Sequence, residues 1–151
     1  MCLQSYPLVF FFLLLVGCAS YPTQELSNAR QALKAAQDAD AAHHAPIHLN
    51  KATELLSNAE HALEPKDLSY ARARNNALAS KTEAIKARKL SLAFALTIKE
   101  LNDRPLSIPV HNEASQLLEQ AKDAAQSGDD ILASSLISQA RTVIQTNIKE
   151  P

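Results

Sequence analysis

The sequence predicts an all-α protein: an elongated antiparallel bundle of helical hairpins with one long central helix, set behind an N-terminal signal peptide. Three observations carry that reading. The 151 residues hold only two glycines, far below the usual ~7%. The internal prolines Pro22, Pro46, Pro65, Pro105 and Pro109 fall between apolar-periodic segments, where a missing N–H does no harm. Within those segments apolar residues recur three or four positions apart, the spacing of a helix with one buried face. Scarce glycine also excludes phosphate-cradling loops and hairpin-rich β domains. A net charge of −1 and a pI near 6.5 argue against nucleic acid as a partner. Two cysteines are too few for a disulfide scaffold or a Cys-rich zinc module.

The chain opens on an address. Leu8 to Val16 is an unbroken apolar run of nine residues. A membrane-spanning helix needs about 20, so the run suits the core of a signal peptide over 1–17. Leu15-Val16-Gly17-Cys18, at the end of the run, resembles the bacterial lipobox. That resemblance implies cleavage before Cys18 by signal peptidase II and a diacylglyceryl group on its Sγ. Small residues before the cysteine let extended backbone enter the peptidase. Met1 to Pro7 carries no Lys or Arg, whereas signal peptides usually begin with positive charge. Either the amino terminus alone supplies it, or translation starts upstream. Cys2 lies in the removed part, so no free thiol serves redox or metal chemistry. Ala19 and Ser20 stand where an Asp would retain an enteric lipoprotein in the inner membrane, which implies the outer membrane facing the periplasm. Residues 18–22 read as the lipidated cysteine and a short linker.

Five helices are expected after that linker, over 23–43, 46–63, 67–101, 110–127 and 129–148. The first carries Leu26, Ala29, Leu33 and Ala36 on one face. The second carries Ala52, Leu55, Leu56, Ala59, Ala62 and Leu63, with Pro46 in its first turn. The third places Ala71, Leu78, Ile85 and Leu92 seven residues apart with Leu96 beside them, which predicts its buried stripe. The fourth shows Ala114, Leu117, Leu118, Ala121 and Ala125, and the fifth Leu132, Leu136, Ala140 and Val143. Asp67 and Asp129 are expected to cap the third and fifth helices. Gly128 suits the left-handed residue that closes the fourth.

The pattern repeats. Leu26-Ser27-Asn28-Ala29 returns thirty positions on as Leu56-Ser57-Asn58-Ala59. Ala52, Leu55, Leu56, Ala59 and Asp67 align with Ala114, Leu117, Leu118, Ala121 and Asp129. Repeated helical hairpins are the reading.

The segment from Glu25 to about Ala93 resembles the domain of unknown function 4398 family of bacterial envelope lipoproteins. The resemblance is carried by Leu26-x-x-Ala29-Arg30-x-Ala32-Leu33, Ala45-Pro46-x-x-Leu49-x-x-Ala52 and Leu55-Leu56-x-x-Ala59-x-x-Ala62-Leu63, with Tyr70-Ala71-Arg72 beyond them. It implies a helical periplasmic module without an established activity. It divides the mature chain into 23–101, which resembles the family, and a C-terminal hairpin over 107–150 packed on it. Members often precede a peptidoglycan-binding domain. This chain instead continues into another hairpin, so direct peptidoglycan anchoring is not expected.

Candidate sites are few. His43, His44 and His48 cluster around Pro46, but Pro46 interrupts the helix between them and no cysteine completes a set. They read as a solvated helix end, with no metal and no cofactor. Lys66 to Lys99 holds eight basic residues against Asp67 and Glu83. Arg72, Arg74, Lys81, Lys86, Arg88 and Lys89 therefore either pair with acidic neighbouring helices or face an anionic surface. No catalytic constellation is present: no serine sits in a nucleophile elbow, and His61 beside Glu60 and Glu64 is a surface trio. The expectation is a non-enzymatic lipid-anchored scaffold or adaptor for another envelope protein. The alternatives are a tetratricopeptide-like groove for a peptide or ligand, and contact with anionic lipid through the third helix. The repeat lacks the aromatic and glycine positions of the tetratricopeptide signature. Inhibiting signal peptidase II in producing cells should leave a precursor heavier by the signal peptide on a gel. An unchanged size would refute cleavage before Cys18.

Overall fold

The computed structural model describes residues 20–147. Leu15, Val16, Gly17 and Cys18 lie outside the described residues, as do 148–151. Among the described residues there are six helices and no strand: α1 (Thr23–Asp38), α2 (Ala41–His44), α3 (Pro46–His61), α4 (Tyr70–Asp103), α5 (Ile108–Ser127) and α6 (Asp130–Thr146). The all-α bundle of packed hairpins is what the sequence predicts.

The ends show which local signals acted. The expected first helix breaks at Ala39–Asp40, where Asp40 takes a left-handed conformation (φ 58°) and α2 starts anew. Asp tolerates that region better than most residues, which places the break there. Pro46 opens α3 in its first turn. Asp67 does not cap α4: Ser69 holds the cap position, and Asp67 instead accepts from Arg72 Nη1 at 2.6 Å. Pro109 sits inside the first turn of α5, so that helix begins two residues earlier than expected. Gly128 closes α5 with φ 85°, and Asp129 Oδ1 accepts from Leu132 N at 3.0 Å to cap α6.

Paired positions give the helix directions. Ser80 Oγ donates to Ala52 O at 2.7 Å and His48 meets Glu83 at 2.6 Å, so positions rise along α4 as they fall along α3 and the two run antiparallel. Arg74 meets Glu25, while Arg88 and Leu92 border Ala35 and Ala39, so α1 runs parallel to α4. Asp130 and Ile137 flank Lys86 and Ala93, and Arg141 pairs with Glu100, so α6 is also parallel to α4. Hairpin neighbours are therefore antiparallel, while both helices that join α4 across the bundle are parallel to it. At 34 residues, α4 spans about 50 Å and touches every other helix.

The core inverts one expectation. Leu78, Ile85, Leu92 and Leu96 are exposed by 39% to 51%, and Ala71 also faces solvent. The buried seam of α4 is Ala73, Ser80, Ala87, Phe94 and Leu101, seven apart, interleaved with Ala77, Ala84 and Ser91. The period of seven is real, but its phase belongs to the small residues. The leucine file offers one contact per two turns; the alanine–serine seam offers two, and it lets backbones approach closely. Leu132 is exposed too, its place on α6 taken by Ala133. The remaining stripes hold: Leu26, Ala29, Leu33 and Ala36 are buried, and so are Ala52, Leu56 and Ala59 beside their repeat partners Ala114, Leu118 and Ala121.

Substitutions should separate the two phases in urea unfolding. Ala84→Leu forces a larger side chain into a fully buried site and should cost about 1–3 kcal/mol. Leu92→Ala should stay within about 0.5 kcal/mol. The reverse order would place the core on the wrong face.

Candidate functional site

Two places on the fold concentrate chemistry: a charged junction between α3, α4 and α6, and the outer face of α4. The junction centres on His48, a buried side chain in the first turn of α3. Its Nδ1 lies 2.6 Å from Glu83 Oε2 on α4, and its Nε2 lies 2.6 Å from Asp130 Oδ2 at the start of α6. A neutral imidazole has one N–H, whereas both ring nitrogens here face carboxylate oxygens. The imidazolium satisfies both. Lys86 Nζ donates to Glu83 Oε1 at 3.0 Å, and Lys51 Nζ lies 3.7 Å away from the same oxygen. Burial works to raise the Glu83 pKa, but hydrogen bonds from His48 and Lys86 outweigh it and hold the carboxyl below its ordinary range. Asp130 stands in the first turn of α6, where negative charge also meets the helix dipole.

This corrects the reading of the histidines as a solvated helix end. His43 is exposed, but His44 stacks on Phe94 with ring centroids 5.0 Å apart, and His48 is buried. Burial and neighbouring His43 lower the His44 pKa. His48 lies on the same stripe as Ala45, Leu49 and Ala52, and Glu83 lies between Ser80 and Ala84 on the α4 seam. The place of His48 on the stripe of Ala45, Leu49 and Ala52 was the signal available in the sequence; the core register of Glu83 was not, because it depends on the phase of α4. Among the described residues, no group of three His, Cys, Asp or Glu is placed to hold a metal ion. The two carboxylates flank opposite sides of the ring, which suits a structural clamp.

The basic residues of α4 divide. Arg72 pairs with Asp67, Arg74 with Glu25, and Lys86 with Glu83. Lys81, Arg88 and Lys89 enter no ion pair among the described residues. Arg74 also reaches the chain entry, donating from Nη2 to Ser20 O at 3.0 Å. Pro22 is fully buried, and the Tyr21 ring meets Tyr70 edge-on at 5.8 Å. Residues 20–22, expected as linker, are thus built into the bundle.

The hollows are shallow. One of about 260 Å3 lies between Lys86, Leu90, Asp130 and Ile137, and one of about 210 Å3 lies beside His44, Phe94 and Leu118. Both are smaller than the ~300–1,000 Å3 of typical ligand pockets. Two larger ones, about 450 and 520 Å3, are open dishes around Arg30 and Glu60 and around Asp123 and Leu136. No known family's model matches the chain, and no curated protein or solved structure matches it either.

His48→Ala should cost about 3 kcal/mol at neutral pH, because it leaves Glu83 and Asp130 without the ring that bridges them. Glu83, whose pKa is lowered on folding, contributes stability that is present above about pH 4.3 and lost as pH falls through its folded value. The variant should lose less of its stability to acid than the parent in urea unfolding between neutral and acid pH. Equal stability of the two at neutral pH would rule out the clamp.

Proposed function

We propose that the chain is a non-enzymatic, lipid-anchored helical scaffold or adaptor of the bacterial cell envelope, held on the periplasmic side of the outer membrane. Cys18 is its anchor and another envelope protein its partner. One observation carries the reading: a nine-residue apolar core runs straight into the lipobox Leu15-Val16-Gly17-Cys18, sharing its first two residues. The fold supports it. Ser20 is already held by Arg74, so only Ala19 separates Cys18 from the bundle. An anchor so placed would hold the helices against the membrane rather than on a tether. The resemblance of residues 25–93 to the domain of unknown function 4398 family points the same way.

Shallow hollows and clamped charges favour a protein that works through its outer faces over one that encloses a ligand. No helix among the described residues is long and apolar enough to cross a membrane. The chain should sediment with envelope membranes and incorporate labelled fatty acid, and Cys18→Ser should abolish the incorporation. Crosslinking in cells should capture one defined envelope protein in stoichiometric yield. Equal fatty-acid incorporation by the Cys18→Ser chain would overturn the anchor, and capture of abundant bystanders alone would overturn the adaptor role.

A further inference from the structure

The outer face of α4 is an interaction surface with an unusual composition. Leu78, Ile85, Leu92 and Leu96 form an exposed apolar file along about 27 Å of helix. Lys81 and Arg88 line one side of that file and Lys89 the other, as their positions three and four residues from Ile85 and Leu78 require. None of the three enters an ion pair among the described residues. Between Tyr70 and Thr97 the only carboxylate on α4 is Glu83, and it is buried. The flank toward α1 is formed by Ala35 and Ala39 with Asp38, which pairs with Lys34.

Three occupants could cover such a face. A second copy would bring its own Lys81, Arg88 and Lys89 into the same seam, where the flanking Asp38 is already paired with Lys34, and like charges repel. A partner helix would need a second apolar file for its side chains to interlock. The positions that would supply it, three residues beyond Ala71, Leu78 and Ile85, are Arg74, Lys81 and Arg88. An anionic bilayer needs neither. Its surface takes one apolar file into the acyl boundary while flanking cations extend to the headgroups.

The direction of the chain entry agrees. Arg74 stands one helical turn before Leu78 on the same face, and it holds the carbonyl of Ser20. The chain therefore enters the bundle at the Arg74 end of this face. Two residues reach at most about 7 Å, so a lipid on Cys18 would enter the bilayer beside the same end.

We infer that α4 rests on a membrane surface rich in anionic lipid, with Leu78, Ile85, Leu92 and Leu96 in the acyl boundary and Lys81, Arg88 and Lys89 at the headgroups. The orientation rests in part on Cys18 being the anchor; the affinity of the face does not. The chain has no Trp, so Leu92→Trp installs a single reporter in the full chain with Cys18 unmodified, and Leu78→Trp a second. The apolar leader is then common to every sample. Vesicles carrying phosphatidylglycerol and brominated acyl chains should shift the emission to the blue and quench it. Neutral phosphatidylcholine vesicles should do so far less.

Replacing Lys81, Arg88 and Lys89 with Gln should cut the quenching on the order of tenfold. Trp at Ile108, an exposed position outside α4, should stay in water. Equal response to neutral and anionic vesicles, or no effect of the three Gln substitutions, would overturn the inference. So would a blue shift that grows with protein concentration without vesicles, which would assign the face to a second copy. The reporter reads the face whether or not Cys18 is a lipidation site, so this failure and failure of the anchor are told apart.

Discussion

Close approach of helix backbones along α4 is the constraint on which the rest of the molecule depends. Ala73, Ala77, Ala84 and Ala87 on α4 are fully buried, as are Ala29 and Ala36 on α1, Ala52 and Ala59 on α3, and Ala133 and Ala140 on α6. Alanine at so many contacts lets helix axes approach the near end of the usual 8–10 Å range. Little apolar area is buried per residue, but alanine loses no side-chain entropy on burial. On α4 the large buried side chains are Leu90, Phe94 and Leu101, all in its C-terminal half. A seam this narrow has no room for leucines at each turn, so Leu78, Ile85, Leu92 and Leu96 are displaced to the outside.

A thin apolar core leaves register weakly specified, because one alanine resembles the next. The polar groups inside it supply what alanine lacks. His48 joins Glu83 and Asp130 across three helices, and Ser80 donates to the Ala52 carbonyl. Sliding α3 by one turn would strand a buried imidazole and a buried carboxylate, which costs far more than mismatched alanines. The same clamp ties α6 to the α3–α4 hairpin. Arg141 with Glu100 repeats the tie toward the far end of α4, where it lowers the Glu100 pKa.

The histidine cluster and the basic strip show how far residue types alone lead. His48 beside Pro46 has the look of a helix end, and only its place on the stripe of Ala45, Leu49 and Ala52 marks it as internal. The six cations from Arg72 to Lys89 form one group in the sequence. In the fold Arg72, Arg74 and Lys86 find carboxylates, while Lys81, Arg88 and Lys89 flank the exposed leucines. Pairing across helices depends on which faces meet, and composition carries no record of that.

Helix content, the proline-marked joints, the Gly128–Asp129 turn and the stripes of α1, α3 and α5 were determined by the sequence itself. Each follows from local chemistry: propensity, a missing N–H, a positive φ, a capping carboxylate. The lipobox is equally a property of sequence. The phase of the seven-residue repeat in α4 was decided only by tertiary structure. Hydrophobicity favours Leu78, Ile85 and Leu92, but the distance set by opposing alanines favours Ala77, Ala84 and Ala87, and that distance exists only once two helices have met. The buried His48 clamp and the exposed, cation-flanked face of α4 both follow from that choice.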